Sequence, residues 1–376
     1  MKSELTLFDR TLSLLRYPER TNETLQAWDA GDEYLISHIE EKDLANGQHI
    51  LVLNDSFGAL SCWLSNKHHV TVMSDSYIAH QAIQRNLERN QCNPVAIIDS
   101  LAQLPAKIDL VLMQIPRNNR FLTWQLSQLR QSIAPEIPVI AVNKAKEIHS
   151  STLKLFEKYL GETKTSLAWK KHRLVFSSAT SIQPQPVEPF TTWDVTEHNI
   201  TLNNLPNVYS GESLDQGARF MLENLPHGDK YQRAIDLGCG NGVLSVKLAQ
   251  QNPTMQISCV DESYMAVASA KQNLADNVGM DRDFQFIANN CLDGFTAGQY
   301  NLVVCNPPFH QQQAITDHIA WQMFCDAKHV LDNGGQLLVI GNRHLGYDVK
   351  LKRLFGKSNV SLVAANKKFV ILQATK

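Results

Sequence analysis

Short runs rich in Val, Ile and Leu alternate along this chain with stretches whose apolar residues recur at helical spacing. In the second half the runs fall near 233–237, 256–260, 284–288, 300–305 and 336–341. A last hairpin is predicted near 359–364 and 367–373. Short buried strands alternating with helices predict a mostly parallel α/β sheet covered by helices. Ligands of such sheets bind at the carboxyl ends of the strands. Near the amino terminus, QAWDAGDEYLISHI places Trp28, Tyr34, Leu35 and Ile39 at helical spacing. We read these as core contacts, and residues 1–45 as helices preceding the first sheet.

The pattern occurs twice. ILVLNDSFGALS at 50–61 parallels AIDLGCGNGVLS at 234–245. MSDSYIAHQAIQRNLERN at 73–90 parallels CVDESYMAVASAKQNLADN at 259–277, with one extra residue in the second. IDLVLMQIPR parallels YNLVVCNPPF, PVIAVNK parallels LLVIGNR, and KYLGETKTSLAWKKHRLV parallels RLFGKSNVSLVAANKKFV. Matches in one order at nearly constant separation predict two tandem Rossmann-like domains from an internal duplication. The expected bounds are 1–180 for the first domain, 181–206 for a proline-bearing linker and entry segment, and 207–376 for the second.

Composition narrows the class. The 376 residues suffice for two domains, and 43% apolar types suffice for ordinary cores. A net charge of −2 does not advertise a nucleic-acid partner, although it averages over local patches. The seven cysteines form no CxxC pair, so free buried thiols are expected rather than disulfides or zinc. No signal peptide or membrane-length apolar run is visible, which fits a cytoplasmic protein without a membrane partner.

The second copy carries candidate chemistry. In DLGCGNG, Asp236 ends a strand and Gly238, Gly240 and Gly242 open a helix. Glycines there allow turn angles and close approach of a ligand. Asp261, after the second strand, suits a ribose diol. G-x-G-x-G departs from the dinucleotide pattern, so S-adenosylmethionine, a nucleotide and an inert turn all remain open. Asn306, Pro307, Pro308 and Phe309 follow the fourth strand. Two stiff prolines present the Asn306 amide and the Pro307 carbonyl as acceptors for the two hydrogens of an exocyclic amine. Phe309 would stack on the ring that bears the amine. A tight loop whose Phe309 fills the core is the plain alternative.

DLGCGNG and NPPF, with the acid between them, resemble class I S-adenosylmethionine-dependent methyltransferases that act on exocyclic amines. NPPFH, the tandem arrangement and VYSGESLDQGARFML resemble the bacterial rRNA guanine-N2 methyltransferases over essentially the full length. LQAWDAGDEYL, LAWKK and NPPFHQQ favour the branch acting on guanine 1835 of 23S rRNA. The resemblance implies S-adenosylmethionine as cofactor, and 23S rRNA or a large-subunit assembly intermediate as partner. It implies no metal and no obligate protein partner. It places Asp236, Gly238, Gly240, Gly242, Asp261 and Asn290 at the cofactor, and Asn306 to Phe309 at the target amine. Arg219 would lie near the cofactor carboxylate or form a surface ion pair.

The first copy is degenerate: LGCGNG has become LNDSFG and NPPF has become QIPR. It is expected to bind no cofactor and to serve RNA binding or support. Residues 144–173 carry 8 basic residues against three acids, and 343–368 carry 7 against one. Lys170, Lys171 and Arg173 in the first copy, and Arg343, Lys350, Lys352, Arg353, Lys367 and Lys368 in the second, are candidate phosphate contacts. Trp169 and Tyr347 are candidates to stack on unpaired bases. The rival readings are a 16S rRNA guanine-N2 enzyme, an adenine or glutamine amino-methyltransferase, a nicotinamide oxidoreductase, and an RNA-binding scaffold without catalysis.

Overall fold

A computed structural model describes residues 3–179, 186–308 and 313–376, the side chains of 313–317 excepted. The chain forms two compact units, Met1–Pro189 and Phe190–Lys376. In the second unit a seven-stranded sheet runs in spatial order Phe284–Ala288, Gln256–Asp261, Arg233–Leu237, Tyr300–Cys305, Leu331–Asn342, Phe369–Thr375 and Val360–Ala365. Counted along the chain this is 3-2-1-4-5-7-6, parallel except that the seventh strand runs antiparallel to both its neighbours. The first unit repeats the order with Ala96–Ile98, His69–Met73, His49–Leu53, Leu110–Gln114, Pro138–Lys144, His172–Ser178 and Thr163–Thr165.

Each sheet is buried on both faces, as parallel strands require. On one face of the second sheet, Ala234, Leu302, Val304 and Ile340 pack with helices Gln216–Leu222, Val243–Gln251 and Tyr264–Val278. On the other, Ile235, Leu237, Val303 and Val339 pack with helices Gln313–Val330 and Tyr347–Phe355. All seven cysteines are free thiols. No helix among the described residues is long and apolar enough to cross a membrane.

Two expectations change. Residues 1–45 contain the helix Ala30–Lys42, but they begin with a hairpin, Glu4–Leu7 on Arg10–Ser13. Its alternation buries Leu5, Leu12 and Leu14 and leaves their neighbours exposed or half-buried, a period of two within a stretch read as helical. The stretch 181–206 contains a second hairpin, Thr191–Val195 on Ile200–Asn204, which packs Val195, Ile200 and Leu202 into the core of the second unit. Each sheet is thus preceded by a two-stranded hairpin.

Candidate functional site at the carboxyl edge of the second sheet

Strand register places the predicted residues along one edge. Leu237, Val260 and Cys305 stand abreast, so the glycine turn, Asp261 and Asn306 all leave the sheet at the same end. Gly238, Gly240 and Gly242 have φ of 75°, 53° and 77°. That left-handed region suits glycine. The three differ in what surrounds them. A Cβ on Gly242 would lie 2.8 Å from Ala270 Cβ, so this glycine lets two helices pack closely. A Cβ on Gly238 would meet Met323 Cε at 3.2 Å, whereas one on Gly240 would meet nothing within 4 Å. Gly240 therefore faces open space at the strand ends.

The acids are ordered by the same turn. Asp261 accepts the Gly240 N–H at 2.9 Å and the Ser263 N–H at 3.0 Å, which fixes its carboxylate beside the open glycine. Asp236 is buried and accepts the Ser245 hydroxyl at 2.6 Å and the Ser245 N–H at 3.2 Å. Its other oxygen has no partner. Burial pushes its pKa up to about 7 against those hydrogen bonds, with Asp261 adding repulsion. Asn290 lies beyond the neighbouring strand, and its amide is turned to Asp293 at 2.7 Å. Asn290 thus closes a turn here.

Asn306 sits immediately beyond Cys305, and its buried Oδ1 has no hydrogen-bond partner among the described residues. Pro307 is buried and Pro308 exposed. Phe309, and the flanking His310 and Gln311, fall outside the described residues. An unsatisfied buried acceptor is costly and calls for a donor. The sequence reading overlooked Asn342, which ends the fifth strand on the same edge and whose Oδ1 is also buried and partnerless. Its signal was the Asn shared by VNK and GNR in the two copies.

The open glycine, the ordered ribose-type acid and the empty acceptors fit a nucleoside-bearing cofactor beside an amine. The first copy shows the opposite. There Asn54, in the place of Gly238, exchanges hydrogen bonds with Gln125 at 3.0 and 2.9 Å and donates to the Gln114 carbonyl at 2.8 Å. Gln114, in the place of Asn306, donates to Asp32 at 2.6 Å. Burial holds the Asp32 carboxyl well above the usual carboxylate range, with Asp29 adding to the shift. These side chains fill the edge that the second copy leaves open. Leu53 pairs with Met73 as Leu237 pairs with Val260, so Ser74 stands at the ribose acid's position. Gly58 is retained at φ 90°, where a Cβ would press on Ile83 Cα at 3.1 Å. The glycine needed for packing survives, and those facing the edge do not.

The basic candidates divide. Lys170, Lys171 and Arg173 are all exposed, and Lys170 lies 2.7 Å from Glu33 and 4.4 Å from the centre of the Trp169 ring. Lys170 and Lys171 form the two-residue tip of a hairpin closed by Trp169 and His172, with φ of 43° and 65°. Glycine and asparagine usually occupy such left-handed tips. In the second unit Lys367 and Lys368 occupy the tip capped by Asn366, and Lys368 reaches Gln216 at 3.0 Å. Arg343 bonds the Asn366 carbonyl, Lys352 pairs with Asp348, Arg353 lies over Trp321, and Lys350 shares their helix. Tyr347 is buried edge-on to Phe324, so it is a core residue and not a base-stacking platform. Arg219 pairs with Glu197.

Comparison with known proteins follows this division. The family described as RLMG N-terminal domain matches residues 2–181, and the methyltransferase small domain matches 199–373. The ribosomal RNA large subunit methyltransferase G of Vibrio parahaemolyticus is 66% identical over 376 residues, covering 100% of this chain and 98% of that protein. The protein of the same name from Aliivibrio fischeri strain MJ11 is 65% identical over 377 residues, covering 100% and 99%. A 16S rRNA N2-G1207 methyltransferase of T. thermophilus, solved with AdoMet and guanosine, shares the fold. Its TM-score is 0.77 at 18% identity, over 99% of this chain and 97% of that one.

Proposed function

This chain belongs to the ribosomal RNA large subunit methyltransferase G family, and we infer on that ground that its second domain methylates the exocyclic N2 of one guanine, the 1835-type position, in 23S rRNA. The cofactor is S-adenosylmethionine, which when bound supplies an electrophilic methyl group. Gly240 leaves room for it, Asp261 accepts the ribose hydroxyls, and Asn290 closes the wall beyond them. The first domain supplies RNA affinity. The protein acts in the cytoplasm, on rRNA or a large-subunit assembly intermediate.

The observation that carries the reading is the buried, partnerless Oδ1 of Asn306 beside the open glycine. A guanine amine offers two N–H donors, and its lone pair is delocalised into the ring. Asn306 accepts one hydrogen and the Pro307 carbonyl the other, which turns the nitrogen lone pair toward the methyl carbon. Pro308 stiffens the loop. The gain is in positioning, since a neutral amine needs no base before attack and its proton leaves afterwards to water. Asn342 favours guanine over adenine. Its free acceptor suits the N1–H that guanine presents next to N2, whereas adenine offers an acceptor beside its amine.

Asn306→Ala is expected to lower transfer by on the order of 10²-fold while leaving S-adenosylmethionine affinity near the parent's. Single-turnover transfer and calorimetry on one preparation check both. A variant that keeps more than half the parent rate refutes the clamp.

A further inference from the structure

Two asparagines one helical turn apart on Tyr264–Val278 clip the hairpin that precedes the second sheet. Asn277 accepts from Thr201 N–H at 3.0 Å and donates to its carbonyl at 2.8 Å. Asn273 accepts from Asn203 N–H at 2.7 Å and donates to the Asn203 carbonyl at 3.1 Å and the Asn241 carbonyl at 2.8 Å. The first domain repeats both clips on its own hairpin. Asn90 exchanges two bonds of 2.8 Å with Ser13, and Asn86 bonds Leu15 at 3.1 and 2.8 Å and the Phe57 carbonyl at 2.7 Å. The clips are therefore a device of the fold, kept with or without an open cradle.

The next contact differs between the copies. In the second domain Asn241, between Gly240 and Gly242, donates its amide to Asn204 Oδ1 at 2.9 Å. Asn204 is fully buried and donates in turn to the Thr191 carbonyl at 3.0 Å. In the first domain the corresponding places hold Phe57 and Arg16, with the guanidinium carbon 4.4 Å from the ring centre. The amide pair accompanies the open cradle, and the cation–aromatic pair accompanies the filled one.

The geometry points to Asn204 as a positioning residue for S-adenosylmethionine, acting through Asn241. A turn built on glycines has many accessible conformations. Asn241 is tied at three points: its carbonyl to Asn273, its Oδ1 to the Val243 N–H at 3.2 Å, and its amide to Asn204. Holding that side chain keeps Gly240 open and its N–H on Asp261. Releasing it lowers the fraction of chains with a competent cradle, and apparent affinity falls by that fraction. Chemistry at saturating cofactor is untouched. This inference rests on the cofactor assignment and not on the RNA target.

The test compares Asn204→Ala with Asn277→Ala, which removes two bonds to the same hairpin but none to the glycine turn. Calorimetry should show Asn204→Ala weakening S-adenosylmethionine binding about ten-fold, the effect of one lost buried hydrogen bond. Asn277→Ala should stay within about two-fold of the parent, since its bonds lie outside the turn. Transfer by Asn204→Ala at saturating cofactor should match the parent. Equal weakening in both variants would reduce Asn204 to hairpin docking, and unchanged affinity in Asn204→Ala would remove its role. Where Asn204→Ala does not fold, Asn241→Ser carries the same two outcomes, because serine still caps Val243 but is too short for Asn204. Failure of the parent itself to bind would overturn the cofactor assignment instead.

Discussion

Asp236 links the cradle to pH. Its carboxyl is raised to about 7 by burial, against an unfolded value near 4. Between these values the folded chain holds a proton that the unfolded chain has released. The stability this group contributes is therefore present below about pH 4, declines as pH rises toward 7, and is absent above. Asp236→Asn keeps an acceptor for Ser245 without the charge. Its urea midpoint is expected to fall less than the parent's between pH 5 and 8 and to overtake it at the alkaline end. Parallel midpoints across that range would show that Asp236 does not titrate there. Residue identities at this edge were legible because backbone geometry demands them: glycine at φ 53° for Gly240, and stiff prolines after Asn306. The distinct job of Gly242 was not legible, since only the folded helices bring Ala270 against it. Asn342 was missed because its neighbours matter only once strands four and five are paired.

At the scale of elements, the central strands of both sheets could be read from their apolar runs, but the edge strand Thr163–Thr165 and the two hairpins could not. Their strands have four or five residues and each carries Thr, and their docking depends on Asn86, Asn90, Asn273 and Asn277, 70–77 residues away in sequence. The basic hairpin tip of the first domain was visible as a charge cluster, though its internal pairing was not. Lys170 is exposed but paired with Glu33, and Lys171 and Arg173 are exposed beside it. Two lysines in left-handed backbone cost roughly 1–2 kcal/mol each, which favours a role outside the fold. Lys171→Ala with Arg173→Ala is expected to weaken rRNA binding and to lower the slope of log K against log salt by roughly 0.7–0.9 per lost contact. S-adenosylmethionine affinity should not change, and Lys170→Ala alone should do less. Filter retention across a salt series reads all three. Slopes that coincide with the parent's would exclude this tip from RNA recognition.

Across the whole molecule, one architecture is used twice with different contents at the same edge. The order 3-2-1-4-5-7-6 recurs in both sheets, as the duplicated pattern predicts. Loss of the glycines in the first copy was plain from LNDSFG. How the gap is filled was not, because Asn54, Gln114, Gln125 and Asp32 come together only through folding. That contrast supports a single chemical centre per chain, in the second domain. The most direct test is transfer of a radiolabelled methyl group from S-adenosylmethionine to purified 23S and 16S rRNA, followed by nucleoside analysis and mapping. Label is expected in 23S rRNA alone, recovered as N2-methylguanosine at one position and nearly absent with Asn306→Ala. Label in 16S rRNA, in methylated adenosine, or in 23S rRNA at the parent's rate with Asn306→Ala would contradict it.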